Sequence, residues 1–468
     1  VTGVQTCALP IFKYKELVMN SMLSKELLVQ IFSQGCKEKN QWKIGTEHEK
    51  FGFKKKSLEP INFSDIEDIF LKLSKKYNWE KIFEGTNLIA LKKDKASITL
   101  EPGGQIELSG APMNNLFETC KEVNQHQNEL DDVCKSMDID FLGMGLLPKW
   151  KINNIKLMPK KRYKIMSEYM PKVGSKGLDM MFRTATIQAN YDFSSESDMI
   201  KKMRVSQSLQ PVIIALYANS PFIDGKVTNY TSFRSYIWTK TDKKRCGILP
   251  FIYESSFSFE RYVDYLLDIP MYFIVRDNEY INMTNYTFRK FLVNKVLEKT
   301  EPTIEDWKIH LTTVFPEIRL KSFIELRGAD GGPWSRVCAL PAFWTGILYD
   351  QENLDEIWSK INHWTYSEIV NFYQNVRKNG LNTVTPDGEK LSDFTKKIIY
   401  KSNDGLVKRN VQSEKGNEST FLEPLKKILE SGKSPGEMWK KLFFSEWNND
   451  IDMLYETNYF KVLENEKV

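Results

Sequence analysis

The stretch from Ala96 to Ser109, ASITLEPGGQIELS, alternates with a period of two on both sides of a Pro-Gly-Gly turn. Successive side chains of a strand point to opposite faces. Ala96, Ile98 and Leu100 therefore take one face, and Ser97, Thr99 and Glu101 the other. On the return, Ile106 and Leu108 are apolar while Gln105, Glu107 and Ser109 are polar. Both apolar sets can face one core only if the connecting loop holds an odd number of residues. That register places Glu101 and Glu107 together. The segment commits the chain to an antiparallel hairpin with one oily face and one acidic face.

Three further segments repeat the pattern. In residues 43–53, KIGTEHEKFGF, Glu47 and Glu49 share a face and His48 points away from them. In residues 184–193, Ile187 and Ala189 oppose Thr186, Gln188, Asn190 and Asp192. In residues 322–330, Ile324 and Leu326 oppose Glu325 and Arg327. One reading is an antiparallel sheet with a solvated side. Another is a metal site. Two unit charges ~4 Å apart repel by about 4 kcal/mol at an effective dielectric of ~20, so Glu47, Glu49, Glu101, Glu107 and Glu325 together need cations or protons. Hard divalent cations with oxygen ligands answer that need, and Mg²⁺ is commonly shared with nucleotide phosphates.

Basic residues lie near these strands. Arg183 precedes the strand at 184–193, Arg162 lies ahead of it among Lys160, Lys161 and Lys164, and Arg234, Trp238 and Arg245 follow it. Metal-bridged phosphates clamped by arginine are how phosphoryl transfer is stabilised. Taken singly, each arginine also fits a surface ion pair. Arg327 differs, because it shares a strand face with Glu325. No GxxxxGK[ST], GxGxxG after a strand, GxSxG or HExxH occurs, so nothing signals a P-loop, a dinucleotide fold, a hydrolase elbow or a zincin. A glycosidase also uses paired carboxylates, but would want an aromatic cleft without phosphate-binding arginines. A non-enzymatic metal-binding module is the third reading.

The net charge of +5 comes from 66 basic and 61 acidic residues. This dilute excess forms no clustered basic face, so no nucleic-acid partner is expected. No apolar run reaches ~18 residues, so no membrane helix is expected. Residues 1–11, VTGVQTCALPI, read like the translation of a sequencing adapter, and Cys7 is expected not to be natural. Cys36, Cys120, Cys134, Cys246 and Cys338 form no CxxC pair. Scattered thiols of this kind predict a reduced, cytoplasmic enzyme.

Helices are predicted after Ser24, over Ser64 to Tyr77 with Ser64-Asp65-Ile66-Glu67 as a capping box, around Met203 to Tyr217, and over Phe259 to Leu267. The chain is predicted mostly helical from Gln351 onward, with loops near Asp387 and from Gly405 to Gly416. The expected organisation is an N-terminal helical segment over 12–42, an α+β core over 43–350, and a helical part over 351–468 packed on the same domain.

The strings IGTEHEKFGF, ASITLEPGGQIELSGAP, RYKIMSEYMPKVGSKGLDMMFRTATIQAN, SYIWTKTDKKRCGILPF and IELRGADGGPWSRVCALPAFWTGILYD resemble the plant and proteobacterial type of glutamate–cysteine ligase, from about Ser24 to Tyr459. The resemblance implies an α+β, glutamine-synthetase-like domain whose six antiparallel strands form a funnel flanked by helices. It implies ATP-dependent joining of the glutamate γ-carboxylate to the cysteine amine through a γ-glutamyl phosphate. It implies two or three Mg²⁺ ions on Glu47, Glu49, Glu101, Glu107 and Glu325, with Arg327 and Glu325 as catalytic candidates. Arg162, Arg183, Gln188, Asn190, Arg234, Trp238 and Arg245 are then candidates for substrate or ATP contact, and Tyr163, Met166 and Trp238 for a cysteine pocket. Glutathione is the implied inhibitor, and the enzyme a monomer or a non-covalent homodimer. Plant members carry a regulatory disulfide whose positions fall on Met283 and near Glu298, so this chain is expected to lack it.

Overall fold

A computed structural model describes residues 23–457 apart from 294, 295 and 297–299. Residues 1–22, with Cys7 and the suspected adapter segment, lie outside the described residues.

The main sheet is built from β1 (Ile44–Lys54), β2 (Glu80–Glu84), β3 (Asn87–Lys93), β4 (Ala96–Leu100), β5 (Ile106–Ser109), β6 (Ile139–Leu142), β7 (Thr186–Tyr191), β8 (Ile318–Leu320) and β9 (Ile324–Asp330). Its order is β8-β9-β7-β1-β5-β4-β3-β2, and β6 pairs the far end of β1. Every pairing is antiparallel. The sheet has nine strands among the described residues, where six were expected. The added strands have physical reasons to be hard to see. β8 is only three residues long, too short to display a period, and β2 is an edge strand with little burial to enforce alternation.

The β4–β5 hairpin pairs Leu100 with Ile106 and Ile98 with Leu108, the odd-loop register that the apolar pattern demands. The apolar face carries Ile98, Leu100, Ile106 and Leu108, which pack with Ile66, Ile69, Phe70 and Leu73 of α1 (Phe63–Tyr77). Further along the sheet, Ile187, Ala189, Ile324 and Leu326 pack with α2 (Leu116–Cys134) and α3 (Trp334–Leu348). Helices thus cover one side and leave the polar side to the site.

α1 begins earlier than expected. Its cap is Asn62, whose Oδ1 accepts from Ser64 N at 2.9 Å and Asp65 N at 3.2 Å, while Asp65 accepts from Asn62 N at 3.0 Å. The loop expected to start at Gly405 is instead helical. α4 (Leu391–Arg409) runs through Gly405 to a left-handed Asn410. It crosses α3 where a Cβ on Gly405 would stand 2.0 Å from the Gly346 carbonyl oxygen, and one on Gly346 1.9 Å from that of Ser402. Close backbone approach, not a chain break, explains the glycine. No helix among the described residues is long and apolar enough to cross a membrane.

Candidate active site

Directly opposed residues of antiparallel strands share a face, so the ladder fixes which side chains meet. Glu47 stands opposite Gln188 on β7 and Ser109 on β5, and Glu49 opposite Glu107. Glu107 stands opposite Thr99, and Asn190 opposite Glu325. All five glutamates predicted from the alternation therefore belong to one face, with Gln188 and Asn190 between them. Thr99 Oγ1 lies 3.2 Å from both Glu101 and Glu107. Asn190 donates to Glu47 at 2.7 Å, and Glu49 accepts from Thr186 N at 3.1 Å.

Two poles divide this face. Glu47, Glu49, Glu101 and Glu107 form an acidic wall. Removal from water and the charge of Glu101 push Glu49 up to about 8, against the pull of Arg234 and Arg327. Burial, then Glu101, Glu47 and Glu49, drive Glu107 well above the usual carboxylate range. Without a cation, Glu49 and Glu107 therefore favour their protonated forms. Its donors are all oxygens, and the buried Asn190 Oδ1 beside Glu47 has no partner. That donor set suits a hard divalent cation. Among the described residues no three His, Cys, Asp or Glu side chains stand close enough together to hold a metal ion as they are placed.

The other pole is basic. Arg319 grips both oxygens of Glu325, with Nη2 at 2.9 Å from Oε1, and also donates to the Val314 carbonyl at 2.9 Å. Lys321 reaches Glu325 at 3.1 Å and Arg327 reaches it at 3.2 Å. Although burial opposes ionisation, these three cations hold Glu325 well below the usual carboxylate range. In this arrangement the oxygens of Glu325, expected to hold a metal, are paired with Arg319, Lys321 and Arg327. Arg319 and Lys321 went unremarked in the sequence, because a strand of three residues shows no period.

Arg327 also donates to Gln188. It stands at a β-bulge, where the register between β9 and β7 shifts between Leu326 and Ala329. Two residues, Arg327 and Gly328, span the place of one, a distortion that re-aims a side chain. Arg327 lines a cavity with Arg234, Trp238, Phe315, Pro316 and Glu317. Arg234 donates to the Arg327 carbonyl at 3.0 Å, and its buried Nε has no partner. Tyr373 donates to Glu317 at 2.5 Å in the wall behind.

Other expected residues stand elsewhere. Arg183 pairs with Asp179 and, at 2.5 Å, with Asp224, so it is spent on a buried ion-pair cluster. Arg245 is fully buried, bonding Asp242 at 2.7 Å, the Thr313 carbonyl at 2.9 Å and the Pro270 carbonyl at 2.8 Å, with the Tyr272 ring 4.0 Å away. It is a structural cross-link with no nitrogen left for a substrate. Tyr163 reaches Glu101 at 3.3 Å and Arg162 stacks over its ring at 5.6 Å, which puts both at the acidic end. Neither Tyr163 nor Met166 lines the cavity that holds Trp238. Lys160, buried beside them, bonds the Leu100 carbonyl at 2.8 Å, and burial lowers it to about 8.

Residues 43–457 match the family described as glutamate-cysteine ligase family 2. The chain belongs to that family. It is similar to glutamate–cysteine ligase A, chloroplastic, of Oryza sativa subsp. japonica, 49% identical over 440 residues that cover 94% of this chain and 88% of that protein. The chloroplastic glutamate–cysteine ligase of Arabidopsis thaliana is 47% identical over 442 residues, 94% of this chain and 84% of that protein. Among solved structures, the fold resembles the glutamate–cysteine ligase of Francisella tularensis in complex with AMP, with a TM-score of 0.52 at 13% identity, covering 92% of this chain and 91% of that one. The expected cytoplasmic location is overturned by these relatives. The Oryza, Medicago truncatula and Arabidopsis enzymes are all named chloroplastic, not cytoplasmic. Scattered thiols do not distinguish the two compartments.

Proposed function

We propose that this glutamate–cysteine ligase family member uses ATP to join the γ-carboxylate of L-glutamate to the amine of L-cysteine, the first step of glutathione synthesis. The observation that carries the reading is the division of one sheet face into an acidic wall and an arginine-lined cavity. A glutamate γ-carboxylate oxygen attacks the γ-phosphorus of ATP, ADP leaves, and an acyl phosphate forms. The cysteine amine then attacks the acyl carbon and phosphate departs, its C–O bond replaced by the new C–N bond.

Glu47, Glu49, Glu101 and Glu107 would hold the Mg²⁺ ions. Divalent cations there would neutralise the triphosphate and the γ-carboxylate, which otherwise repel. Arg327, anchored by Glu325 and Gln188, is placed to stabilise charge on the transferring phosphoryl group. Arg234 offers its guanidinium to an amino-acid α-carboxylate in the cavity beside Trp238 and Phe315, which keeps that end away from the phosphates. Arg162 and Lys160 lie at the acidic end and are assigned to the triphosphate. Glutathione carries the same γ-glutamyl group and would compete for the glutamate site, and any dimer would be non-covalent.

The test is ADP release with glutamate, cysteine and Mg²⁺, with the product mass read directly. ADP release that requires both amino acids, with γ-glutamylcysteine as product, supports the reading. Release that does not depend on cysteine, or that any small amine sustains equally, counts against it.

A further inference from the structure

At the end of β9 the Asp330 carboxyl is 2% exposed. It accepts from Asn219 N at 2.8 Å, from Ser220 Oγ at 2.6 Å and from Ser232 Oγ at 2.9 Å. A carboxylate can only accept, so both serine hydroxyls are turned toward it as donors. Each serine oxygen then accepts an N–H from the first turn of the helix Phe233–Thr239. Arg234 N donates to Ser220 Oγ at 3.0 Å, and Ser235 N to Ser232 Oγ at 3.3 Å. The helix that carries Arg234 and Trp238 is hung from Asp330 by its N-terminal turn. Arg234 Nη1 also lies 3.9 Å from Asp330.

Asp330 is not part of the cavity wall. It reaches this position because of the bulge: β9 re-enters register with Asp330 opposite Thr186, on the face that Arg327 shares. Asn219 extends the network. Its side-chain nitrogen donates to the Gly143 and Gly331 carbonyls at 3.0 and 2.8 Å, and its oxygen accepts from Trp439 at 2.8 Å. The carboxylate thus joins the end of β9, the 219–220 turn and the helix start into one unit.

We propose that Asp330 is a positioning residue for substrate binding. It sets where Arg234 and Trp238 stand relative to Arg327, and it touches no substrate itself. This rests on the reading that the cavity holds an amino-acid substrate. Misplacement of a binding group by an ångström is felt in binding and rate well before the fold is lost. The carboxylate's contribution therefore shows in KM for that amino acid more than in kcat.

The experiment compares Asp330→Ala, Asp330→Asn and Ser232→Ala with Arg234→Ala, measuring kcat, the KM of glutamate, cysteine and ATP, and thermal unfolding. Asp330→Ala is expected to raise the KM of one amino acid about tenfold, with kcat within about threefold and the KM of ATP unchanged. Asp330→Asn, which keeps one accepting oxygen, is expected to show a smaller rise in the same KM. Should the Asp330 variants fail to fold, Ser232→Ala carries the decision on the same pattern. Folded variants with unchanged KM values, or with kcat reduced and every KM intact, overturn the proposal, because a merely structural residue lowers only the active fraction. If Arg234→Ala raises an amino-acid KM while the Asp330 and Ser232 variants do not, positioning fails and the cavity reading stands. If Arg234→Ala leaves both amino-acid KM values unchanged, the cavity reading fails and the proposal falls with it.

Discussion

Glu49 and Glu107 are direct cross-strand partners on β1 and β5, and both carboxyls are raised above their ordinary range. A group whose pKa is higher folded than unfolded stabilises the fold below its unfolded value and loses that contribution as pH climbs through its folded value. For Glu49 that window runs from an ordinary 4.5 up to about 8. The metal-free protein is therefore expected to lose stability from this pair as pH rises through the window. Mg²⁺ should raise the melting temperature by several degrees at pH 8 and by much less at pH 5.5, because a cation must displace protons at the lower pH. Unfolding scans in EDTA and in Mg²⁺ at the two pH values check this. An equal effect at both would remove the wall as the cation site.

Glu47→Gln keeps size and removes one charge from the wall. Its partner Asn190 donates to Glu47 Oε1 at 2.7 Å, and the glutamine oxygen can still accept that bond. The variant should fold normally and lose about 10²-fold or more in kcat, the scale seen when a preorganised electrostatic group is removed. ADP release at saturating Mg²⁺ measures it, and near-parental turnover would speak against any cation at Glu47.

Glu107→Gln and Glu325→Gln should move metal-free stability in opposite directions at pH 8. Burial, then the like charges of Glu101, Glu47 and Glu49, disfavour an ionised Glu107, so its neutral isostere removes that cost and raises the melting temperature. Glu325 is 0% exposed and balances Arg319, Lys321 and Arg327. Removing its charge leaves buried cations without a counter-ion, at a cost of about 3–5 kcal/mol. Melting temperatures that shift the same way in both variants would refute the division into two poles.

Redox control is expected to be absent at the hairpin that carries Met283. Met283 is buried and cannot form the bridge, while the other position, near Glu298, lies outside the described residues. The five described cysteines are free. Cys120 and Cys338 interact with one another, and both are almost fully buried. Activity and apparent mass before and after dithiothreitol should be unchanged. A several-fold loss of activity on reduction, or a shift from dimer to monomer, would show that a different pair of thiols controls the enzyme.

What could be read from the sequence followed the reach of period-two alternation. The glutamates of β4–β5 sit on strands that alternate buried and half-buried positions, so the apolar residues there determined where the acids point, whereas on β1 and β9, buried on both faces, only the period-two spacing of the polar residues carried the signal. The same logic placed His48 on the far side, where it is buried beside His126. It gave no purchase on Arg183 and Arg245, which lie off these strands and pair with the nearby Asp179 and Asp242 and, for Arg183, with the distant Asp224. Arg319 and Lys321 were hidden because three residues of strand cannot show a period. Asp330 was hidden for another reason. Strict alternation would turn it away from Arg327, and only the unforeseen extra residue of the bulge brings it back.

The extra residue makes the end of β9 sensitive to chain length in a way that composition cannot capture. Losing a residue from the exposed 412–417 hairpin would shorten a surface feature. Losing Gly328 would convert two-against-one into one-against-one. Ala329 and Asp330 would keep their partners Ile187 and Thr186, so Asp330 would stay on the face of Arg327, while the bend that re-aims Arg327 would be lost. Loss of one residue at 327–328 is therefore a length change that leaves Asp330 in place, whereas loss of both would turn Asp330 to the apolar face, a parity rule imposed by the ladder and blind to which amino acids are involved.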